Sequence, residues 1–376
     1  MPFSLTEEQA LLQRTLREFV GREVAPLAAR IDREERFPSE TFSKLSQLGL
    51  LGISIPKKYG GAGADFLSSA LVMEALAYGC ASTALSYGAH AILCAQNLYA
   101  FGNEAQRNKF LPLLCSGESL GAFALTEPGA GSDATSLKTE ARKEWDHYLL
   151  NGTKMFITNA SVAQIFLVFA KTAPEEISLF AVDRSSPGIT VGRPMEKLGM
   201  RGSPTSEVVF QGVPVPVENR LGQEGEGVRQ MTRALNMERA IFSALPVGIA
   251  QAAFDAALNY AKQREQFGRP ISEFQLIQEM LAEMATDIEA ARLLVYRSAG
   301  LLNAGKEGPL HPSYAKLFGG EMAMRVTNRA IQIFGGYGYI REFPVERYMR
   351  DARLISIGGG TAEIQKLVIA RELLKS

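Results

Sequence analysis

A glutamate on an apolar helical face is the residue of this sequence whose type and setting point most directly to chemistry. The helical period over residues 228–264 places Glu238 in one stripe with four apolar residues, Leu235, Phe242, Leu245 and Ile249. Loss of water around a carboxylate raises its pKa towards the range in which a general base works near neutral pH. The alternative is an ion pair with Arg239 or Arg233, and the residues alone do not decide between the two interpretations.

A loop rich in Gly, Ser and Asp is a second candidate. The run from Ala124 to Asp133 ends a predicted strand in a turn that carries the hydroxyls of Thr126 and Ser132. Backbone N–H groups exposed by glycines, together with such hydroxyls, can hold a phosphate or the edge of a flavin. An ordinary surface loop has the same composition, and by itself this segment favours that alternative.

The strand after the Asn151-Gly152 turn carries an aromatic ring and a hydroxyl two residues apart. Alternation along the strand predicts that Phe156 and Thr158 point to the same face. An aromatic plane beside a hydroxyl suits stacking on a flavin ring with a hydrogen bond to its edge. Spacing alone favours the alternative, an aromatic residue in the core of a β-sandwich.

Three glycines, Gly358, Gly359 and Gly360, stand immediately before a predicted helix that includes Thr361 and Glu363. Glycines allow a ligand to approach the backbone closely, and a free N–H group there can donate to a carbonyl oxygen. A flexible turn before a helix is the alternative.

Several other kinds of site are disfavoured. The sequence has no GxSxG motif, and its histidines are too scattered for a triad or a metal cluster, so they are predicted to be structural: His90, His147 and His311. Glycine-rich fragments such as 61–63 and 336–338 do not open a helix after a strand in a βαβ unit, which argues against a Rossmann site. Three widely spaced cysteines are predicted to be core residues in a reducing compartment, not disulfides or zinc ligands: Cys80, Cys94 and Cys115.

Charge and hydropathy limit the partners. Lys plus Arg and Asp plus Glu both number 40, so no general attraction to nucleic acid is expected. No run approaches the ~20 unbroken apolar residues of a membrane helix, so no membrane insertion is expected. The first residues carry neither a signal peptide nor an Arg-rich transit segment. The expected location is cytoplasmic, or the mitochondrial matrix for a mature eukaryotic chain.

The hydrophobic period changes twice along the chain of 376 residues. It is helical up to about residue 117, close to two over 120–210, and helical again after residue 227. We therefore predict a mainly helical α+β protein with three domains: a helical domain over 1–117, a β-barrel or sandwich over 118–227, and a helical bundle over 228–376. The last domain is predicted to contain helices near 228–264, 271–304, 311–335 and 343–352, with a kink at Pro246.

Four segments of this sequence resemble the acyl-CoA dehydrogenase family, and they occur in the family's order. They are Ala124–Asp133, the run Arg264-Glu265-Gln266-Phe267-Gly268, the run from Gln332 to Asp351, and Thr361-Ala362-Glu363-Ile364-Gln365. The resemblance covers nearly the whole chain. It implies a helical domain, a middle β domain and a C-terminal four-helix bundle, with FAD as cofactor.

The resemblance also implies roles for individual residues. Four would contact the flavin and its phosphates within one subunit: Thr126, Ser132, Phe156 and Thr158. The adenosine diphosphate part would lie largely against a neighbouring subunit, on Arg264, Phe267, Gln275, Gln332 and Gly336, with Thr361 and Glu363 nearby. The substrate would contact Ser132, Asn236, Arg239, Gly358 and Gly359.

The implied reaction is α,β-dehydrogenation of an acyl-CoA thioester to the trans-2-enoyl-CoA. Many members carry the catalytic base immediately before a Gly-Thr pair, but this chain has Gly359 at that position. The isovaleryl-CoA and long-chain branches instead have a glutamate that corresponds to Glu238. The resemblance therefore implies that Glu238 removes the α-proton, that flavin N5 accepts the β-hydride, and that the Gly359 N–H helps to hold the thioester oxygen.

The segments 85–90 and 357–361 look most like the isovaleryl-CoA branch, which implies a short branched substrate and a place in leucine catabolism or fatty acid metabolism. Straight medium- or long-chain acyl-CoA, or an acyl group on a carrier protein, are the alternatives. A DNA-associated flavin relative would need a basic stretch or an extra domain, and acyl-CoA oxidases are typically much longer. Family membership also implies a homotetramer, a dimer of dimers, that passes electrons to an electron-transfer flavoprotein.

Overall fold

The computed structural model describes residues 5–306 and 308–375, so the outer limits of the predicted domains, residues 1 and 376, lie outside the described residues. The first part of the chain forms seven helices: α1 Glu7–Phe19, α2 Ala28–Glu34, α3 Ser39–Gln47, α4 Phe66–Gly79, α5 Ala81–Gly88, α6 Asn97–Phe101 and α7 Glu104–Ser116. A π-helical segment, Ala89–Gln96, joins α5 to α6.

Side-chain caps fix where several of these helices begin. Thr6 and Gln9 form a capping box at α1, and Asn103 and Gln106 form another at α7. The Asp65 carboxylate accepts a hydrogen bond from Ser68 N at the start of α4, over 2.7 Å. Each cap supplies a partner for an N–H group that the helix itself leaves unpaired.

Eight strands form the middle of the chain: β1 Gly121–Ala124, β2 Glu140–Glu144, β3 His147–Thr158, β4 Ile165–Ala173, β5 Glu176–Asp183, β6 Ile189–Val191, β7 Thr205–Pro216 and β8 Arg220–Leu221. They pair in the order β6-β7-β3-β2-β4-β5-β8, and β1 pairs with β4 in parallel. The pairing of β2 with β4 consists of one residue pair, Glu140 with Lys171. The sheet is therefore nearly divided at this point.

The two parts of the sheet enclose a common apolar core. Residues of β3 and β7 such as Leu150 and Phe210 lie in one buried cluster with Phe166 of β4 and Phe180 of β5. Because apolar residues of both parts face each other, the strands form the two layers of a sandwich.

The last part of the chain forms six helices and a small hairpin: α8 Gly227–Phe242, α9 Ala244–Gln263, β9 Glu265–Gln266, β10 Arg269–Pro270, α10 Gln275–Asn303, α11 Leu310–Phe334, α12 Val345–Ala352 and α13 Ala362–Leu374. The long helix predicted over 228–264 is two helices that meet at Ser243. The break falls next to Phe242, four residues before Pro246, where a proline ring collides with the helical carbonyl. Pro246 was predicted to kink one long helix, and the structure has a break there instead.

The two helical parts share one core. The largest apolar cluster combines residues of α4 such as Leu71 and Met73 with Leu245 of α9 and Ala323 of α11. The fold prediction of a helical domain, a β domain and a second helical domain is confirmed. The stretch Gly227–Gln263 is long and apolar enough to cross a membrane by composition, but 72% of its most apolar window is buried inside the protein, as in the core helix of a soluble protein.

The three cysteines are buried and free, as the sequence predicted for core residues. His90 is also buried, and both of its ring nitrogens are used: Nδ1 accepts from Gly121 N over 3.0 Å and Nε2 lies 3.1 Å from Leu114 O. Burial lowers the pKa of His90 to about 4. This neutral histidine links the π-helical segment to β1, which agrees with the structural role predicted for it.

Candidate active site

The carboxylate of Glu238 lies directly against the backbone of Gly359. Glu238 is on α8 and is only 5% exposed. A β-carbon placed on Gly359 would stand 2.4 Å from Glu238 Oε1 and 3.0 Å from Oε2. No side chain fits between them without displacing the carboxylate. A glutamate at residue 238 therefore requires a residue without a side chain at position 359.

The surroundings of Glu238 leave its charge poorly compensated. Oε2 is buried and has no hydrogen-bond partner among residues 5–306 and 308–375. Burial raises the pKa of Glu238, and the positive charges of Lys316 and then Arg239 act in the opposite direction. This carboxylate has the setting of a general base, which must be free to take a proton.

Arg239, one of the two arginines considered as ion-pair partners of Glu238, does not form that ion pair. Its Nε donates to Gly359 O over 3.3 Å, and its Nη1 lies 3.5 Å from Asn236 Oδ1. Burial lowers the pKa of Arg239, while the charge of Glu238 opposes that shift. Four of the residues predicted to bind substrate thus lie close together: Asn236, Arg239, Gly358 and Gly359.

Buried side chains hold the carbonyl groups of the glycine run. Lys316, on α11, donates to Ile355 O over 2.8 Å and to Gly358 O over 2.6 Å. Gln365 donates to Gly360 O over 3.0 Å. Within the described part of the chain the Gly359 N–H has no acceptor. Hydrogen bonds from Lys316 and Gln365 therefore hold the carbonyl groups of this turn.

The turn after β1 is held from inside by a buried ion pair. Lys154 Nζ lies 2.8 Å from Glu127 Oε1 and 3.1 Å from Leu125 O. Glu127 also accepts from Lys138 N and from both the N–H and the hydroxyl of Thr139. Burial lowers the pKa of Lys154 to about 8. Burial alone would raise the pKa of Glu127, but Lys154 and these hydrogen bonds outweigh it and lower the pKa.

The next strand is joined to this turn by its backbone, since Met155 N donates to Thr126 O over 2.8 Å. A bulge interrupts β3 between Lys154 and Ile157, and Phe156 has a φ of 59°. The bulge interrupts the alternation after Lys154, whereas Phe156, the buried Ile157 and the partly exposed Thr158 still alternate, so a common face for Phe156 and Thr158 stays a prediction. Phe156 is 65% exposed instead of lying in the sandwich core, which removes the alternative weighed for it.

The remaining predicted residues lie at the end of the bundle. Arg264 and Gly336 line a cleft of about 430 Å³ between the end of α9 and the end of α11. The Arg264 guanidinium lies 5.6 Å from the centre of the Tyr337 ring. Phe267, in the β9–β10 hairpin, is 94% exposed. Gln275 and Gln332 are exposed on α10 and α11, Glu363 is exposed on α13, and Thr361 caps α13 by accepting from Ile364 N.

This donor set fits FAD. Among the described residues nothing lies within 4 Å of a β-carbon placed on Gly129 or Gly131, so a ligand can approach the turn, in which Ser132 is exposed and Thr126 is partly exposed. An exposed aromatic ring and an arginine are available for the flavin and the phosphates. The buried side chains that hold these segments, Lys154, Glu127, Lys316 and Gln365, were missed in the sequence. The one signal is a polar residue at an apolar helical position, as for Lys316 between the buried Ser313 and Gly320.

If Phe156 stacks on the flavin, replacing it should weaken cofactor binding without unfolding the protein. We expect Phe156→Ala to raise the dissociation constant for FAD about tenfold, since an aromatic stack contributes about 0.5–1.5 kcal/mol beyond its buried area. Trp145→Ala is the matched control, because Trp145 is 97% exposed with a φ of 52° in the turn before the same strand. Titration of the apoprotein with FAD, followed by flavin fluorescence, measures both. Equal effects of the two substitutions would contradict the stacking role.

The sequence has close relatives of known class. The matching family profiles are the acyl-CoA dehydrogenase N-terminal domain over residues 6–118, the middle domain over 122–213 and the C-terminal domain over 225–374. A probable acyl-CoA dehydrogenase, YngJ, of Bacillus subtilis is 47% identical, and a short-chain-specific acyl-CoA dehydrogenase of Clostridium acetobutylicum is 44% identical, each over 100% of both chains. Mitochondrial isovaleryl-CoA dehydrogenase of Oryza sativa is 42% identical over 99% of this chain and 92% of its own.

Solved structures have the same fold. Butyryl-CoA dehydrogenase of Megasphaera elsdenii superimposes with a TM-score of 0.97 at 43% identity, over 100% of both chains. A chain from a structure of the electron transferring flavoprotein of Acidaminococcus fermentans gives 0.98 at 42% identity, also over 100% of both chains. An acyl-CoA dehydrogenase of Bacillus anthracis in complex with FAD gives 0.95 at 36% identity, over 100% of this chain and 68% of that one.

The three domain profiles together span most of the chain, and relatives more than 40% identical match it from end to end. The chain therefore belongs to the acyl-CoA dehydrogenase family, whose members are FAD-dependent oxidoreductases that act on the CH–CH group of acyl-CoA thioesters.

Proposed function

We propose that this enzyme converts a short branched acyl-CoA, such as isovaleryl-CoA, to the trans-2-enoyl-CoA with Glu238 as the catalytic base. One observation carries the proposal: the buried carboxylate of Glu238, whose Oε2 has no hydrogen-bond partner among the described residues, fills the space that a side chain on residue 359 would need. A base at residue 238 and a base at residue 359 exclude each other sterically. This chain has the first arrangement.

Glu238 and the residues around it have different roles in proton removal. The α-carbon of a thioester is a weak acid, and its proton can move to the Glu238 carboxylate only if the electron pair left behind is stabilised on the thioester oxygen. The Gly359 N–H, which has no acceptor among the described residues, is the donor we assign to that oxygen. Bound FAD supplies the acceptor for the hydride that leaves the β-carbon, so that a Cα=Cβ double bond results.

The position of two apolar side chains is evidence for a short acyl group. The polar residues Asn236 and Arg239 flank Glu238 on α8 and contact each other, and the apolar residue one turn beyond the base is Phe242, where we place the acyl tail. One turn on, Phe242 and Met73 close over Gly88, where a β-carbon would stand 2.4 Å from Phe242 Cζ and 2.5 Å from Met73 Cε. This wall lies one helical turn, about 5.4 Å, beyond the base.

The alternatives are straight medium- or long-chain acyl-CoA and an acyl group on a carrier protein. Flavin bleaching without oxygen, measured with isovaleryl-, butyryl- and octanoyl-CoA and with butyryl carrier protein, separates them. Fastest reduction by isovaleryl-CoA is expected. Equal reduction by octanoyl-CoA would contradict the branched assignment, and reduction by the carrier protein alone would contradict a CoA substrate.

Shortening Phe242 should change the choice of substrate. We expect Phe242→Leu to raise kcat/KM for octanoyl-CoA relative to isovaleryl-CoA about tenfold or more, because room for each methylene in an apolar pocket is worth about 1–3 kcal/mol. Phe42→Leu is the control, since Phe42 is also buried, at 4% exposure, but belongs to the N-terminal α3. It should lower stability to a similar degree without changing the ratio.

The assembly and the electron acceptor are further parts of the proposal. The exposed aromatic rings near the Arg264 cleft, Phe267 at 94% and Tyr339 at 87% exposure, support a homotetramer in which a neighbouring subunit completes the FAD site. The likeness to the Acidaminococcus structure supports an electron-transfer flavoprotein as acceptor. Light scattering tests the tetramer, and reduction of such a flavoprotein against hydrogen peroxide production tests the acceptor. We further propose a cytoplasmic location and a role in leucine catabolism.

A further inference from the structure

Lys316 is a buried cation that was not predicted from the sequence. It lies on α11, is 6% exposed, and makes its two hydrogen bonds to backbone carbonyls, Ile355 O at 2.8 Å and Gly358 O at 2.6 Å. Burial of an ammonium group is costly unless hydrogen-bond acceptors and an opposite charge compensate for the lost water.

The bond to Gly358 O acts on the peptide that carries the Gly359 N–H. In a planar trans peptide the C=O and N–H groups point in opposite directions. A donor fixed on the Gly358 oxygen therefore fixes the direction of the Gly359 N–H, which has no acceptor in the described chain. A charged donor on the oxygen also polarises the peptide and strengthens the N–H as a donor.

Lys316 is also the charge that acts most strongly on Glu238. The charged groups that face Glu238 are Lys316 from α11 and Arg239 from its own helix, and the groups that face Lys316 are Glu238 and Arg239. Burial lowers the pKa of Lys316 to about 8, and the charge of Glu238 opposes that shift. At neutral pH the ammonium form of Lys316 favours the ionised form of Glu238.

We propose that Lys316 is a positioning residue of the reaction, which aims the Gly359 N–H at the thioester oxygen and keeps Glu238 ionised for proton removal. This inference rests on the proposed role of Glu238 as the base. Lys316 itself touches neither the substrate nor the cofactor in this assignment. One buried lysine thus couples the two groups that must act together on the α-carbon, because the base takes the proton as the N–H stabilises the oxygen.

The test uses proton exchange, which needs the base but no hydride transfer. Acetyl-CoA has α-protons and no β-carbon, so in D₂O the FAD-loaded enzyme can only exchange its α-protons, and mass spectrometry follows this as a function of pH. Exchange requires ionised Glu238, so its rate falls as the pH falls through the pKa of Glu238. Without the positive charge of Lys316 that pKa is higher. Lys316→Met should therefore move the acid limb of the profile up by ~1–3 pH units, and Lys316→Gln should do the same.

Lys316→Arg keeps the charge but changes the donor geometry. It should leave the acid limb in place and lower the exchange rate at every pH about tenfold or more, because a misplaced peptide no longer meets the oxygen. Ser313→Ala, one turn earlier and buried on the same helix, is the control and should leave the profile unchanged.

A neutral variant that folds, retains FAD and shows an unmoved acid limb would overturn the proposal. If neither neutral variant folds, the arginine variant still decides, since an acid limb that moves although the charge is kept would equally overturn it. Failure of the base assignment itself is seen separately, as exchange that persists in Glu238→Gln.

Discussion

Glu238→Gln is expected to reduce the rate of flavin reduction by saturating acyl-CoA about 10³-fold, in the range found when a general base is removed. Glutamine matches the size of glutamate, and Glu238 Oε2 accepts no hydrogen bond in the described chain, so the amide loses no partner there. The dissociation constants for FAD and for the substrate should therefore stay within about threefold of those of the wild type. Rapid mixing without oxygen gives the reduction rate, and equilibrium titration gives the two constants.

Two further variants make this result specific. Glu321→Gln neutralises a half-exposed glutamate on α11, whose partner is the exposed Lys366, and should leave the rate unchanged. Glu238→Asp keeps the carboxylate but withdraws it from the α-carbon by one methylene, and an intermediate rate is expected because proton transfer depends on reach. A glutamine variant that reduces its flavin within about tenfold of the wild type would show that another group takes the proton.

The division of the fold into helical, β and helical parts followed from hydrophobic period, because each type of element repeats its apolar residues over many positions. Glu238 was identifiable for the same reason, as a charge at an apolar helical position. The β3 bulge could not be identified from the sequence, because one inserted residue hardly changes the composition of the strand. It nevertheless turns Phe156 outward.

The contacts that hold the site could not be predicted from the sequence for a different reason. Lys316 and Gly358 are 42 residues apart, and Lys154 and Glu127 are 27 apart. No local pattern relates such residues, because tertiary packing alone brings them together. The same holds for Glu238 and Gly359, for which the family resemblance supplied the connection and the structure supplies its physical reason, a shared volume.

Gly359→Ala provides the second large effect and tests that shared volume. The methyl group would stand 2.4 Å from Glu238 Oε1, so the carboxylate must move away from the α-carbon. A displacement of about 1 Å at a reacting centre costs about 10²-fold in rate. We therefore expect the rate of flavin reduction to fall by about 10²-fold while FAD remains bound.

Backbone strain must be separated from this displacement, because residue 359 has a φ of +66°, where alanine is disfavoured by roughly 1–2 kcal/mol. Gly305→Ala is the matched control: Gly305 has a φ of +67° and, among the described residues, no atom within 4 Å of the added methyl group. Both variants should lose similar stability in thermal unfolding, and only Gly359→Ala should lose activity. If Gly359→Ala keeps the wild-type rate, the carboxylate has room to move without consequence, and Glu238 is not held in place by the glycine opposite. If instead both variants lose activity equally, backbone strain and not the shared volume explains the loss.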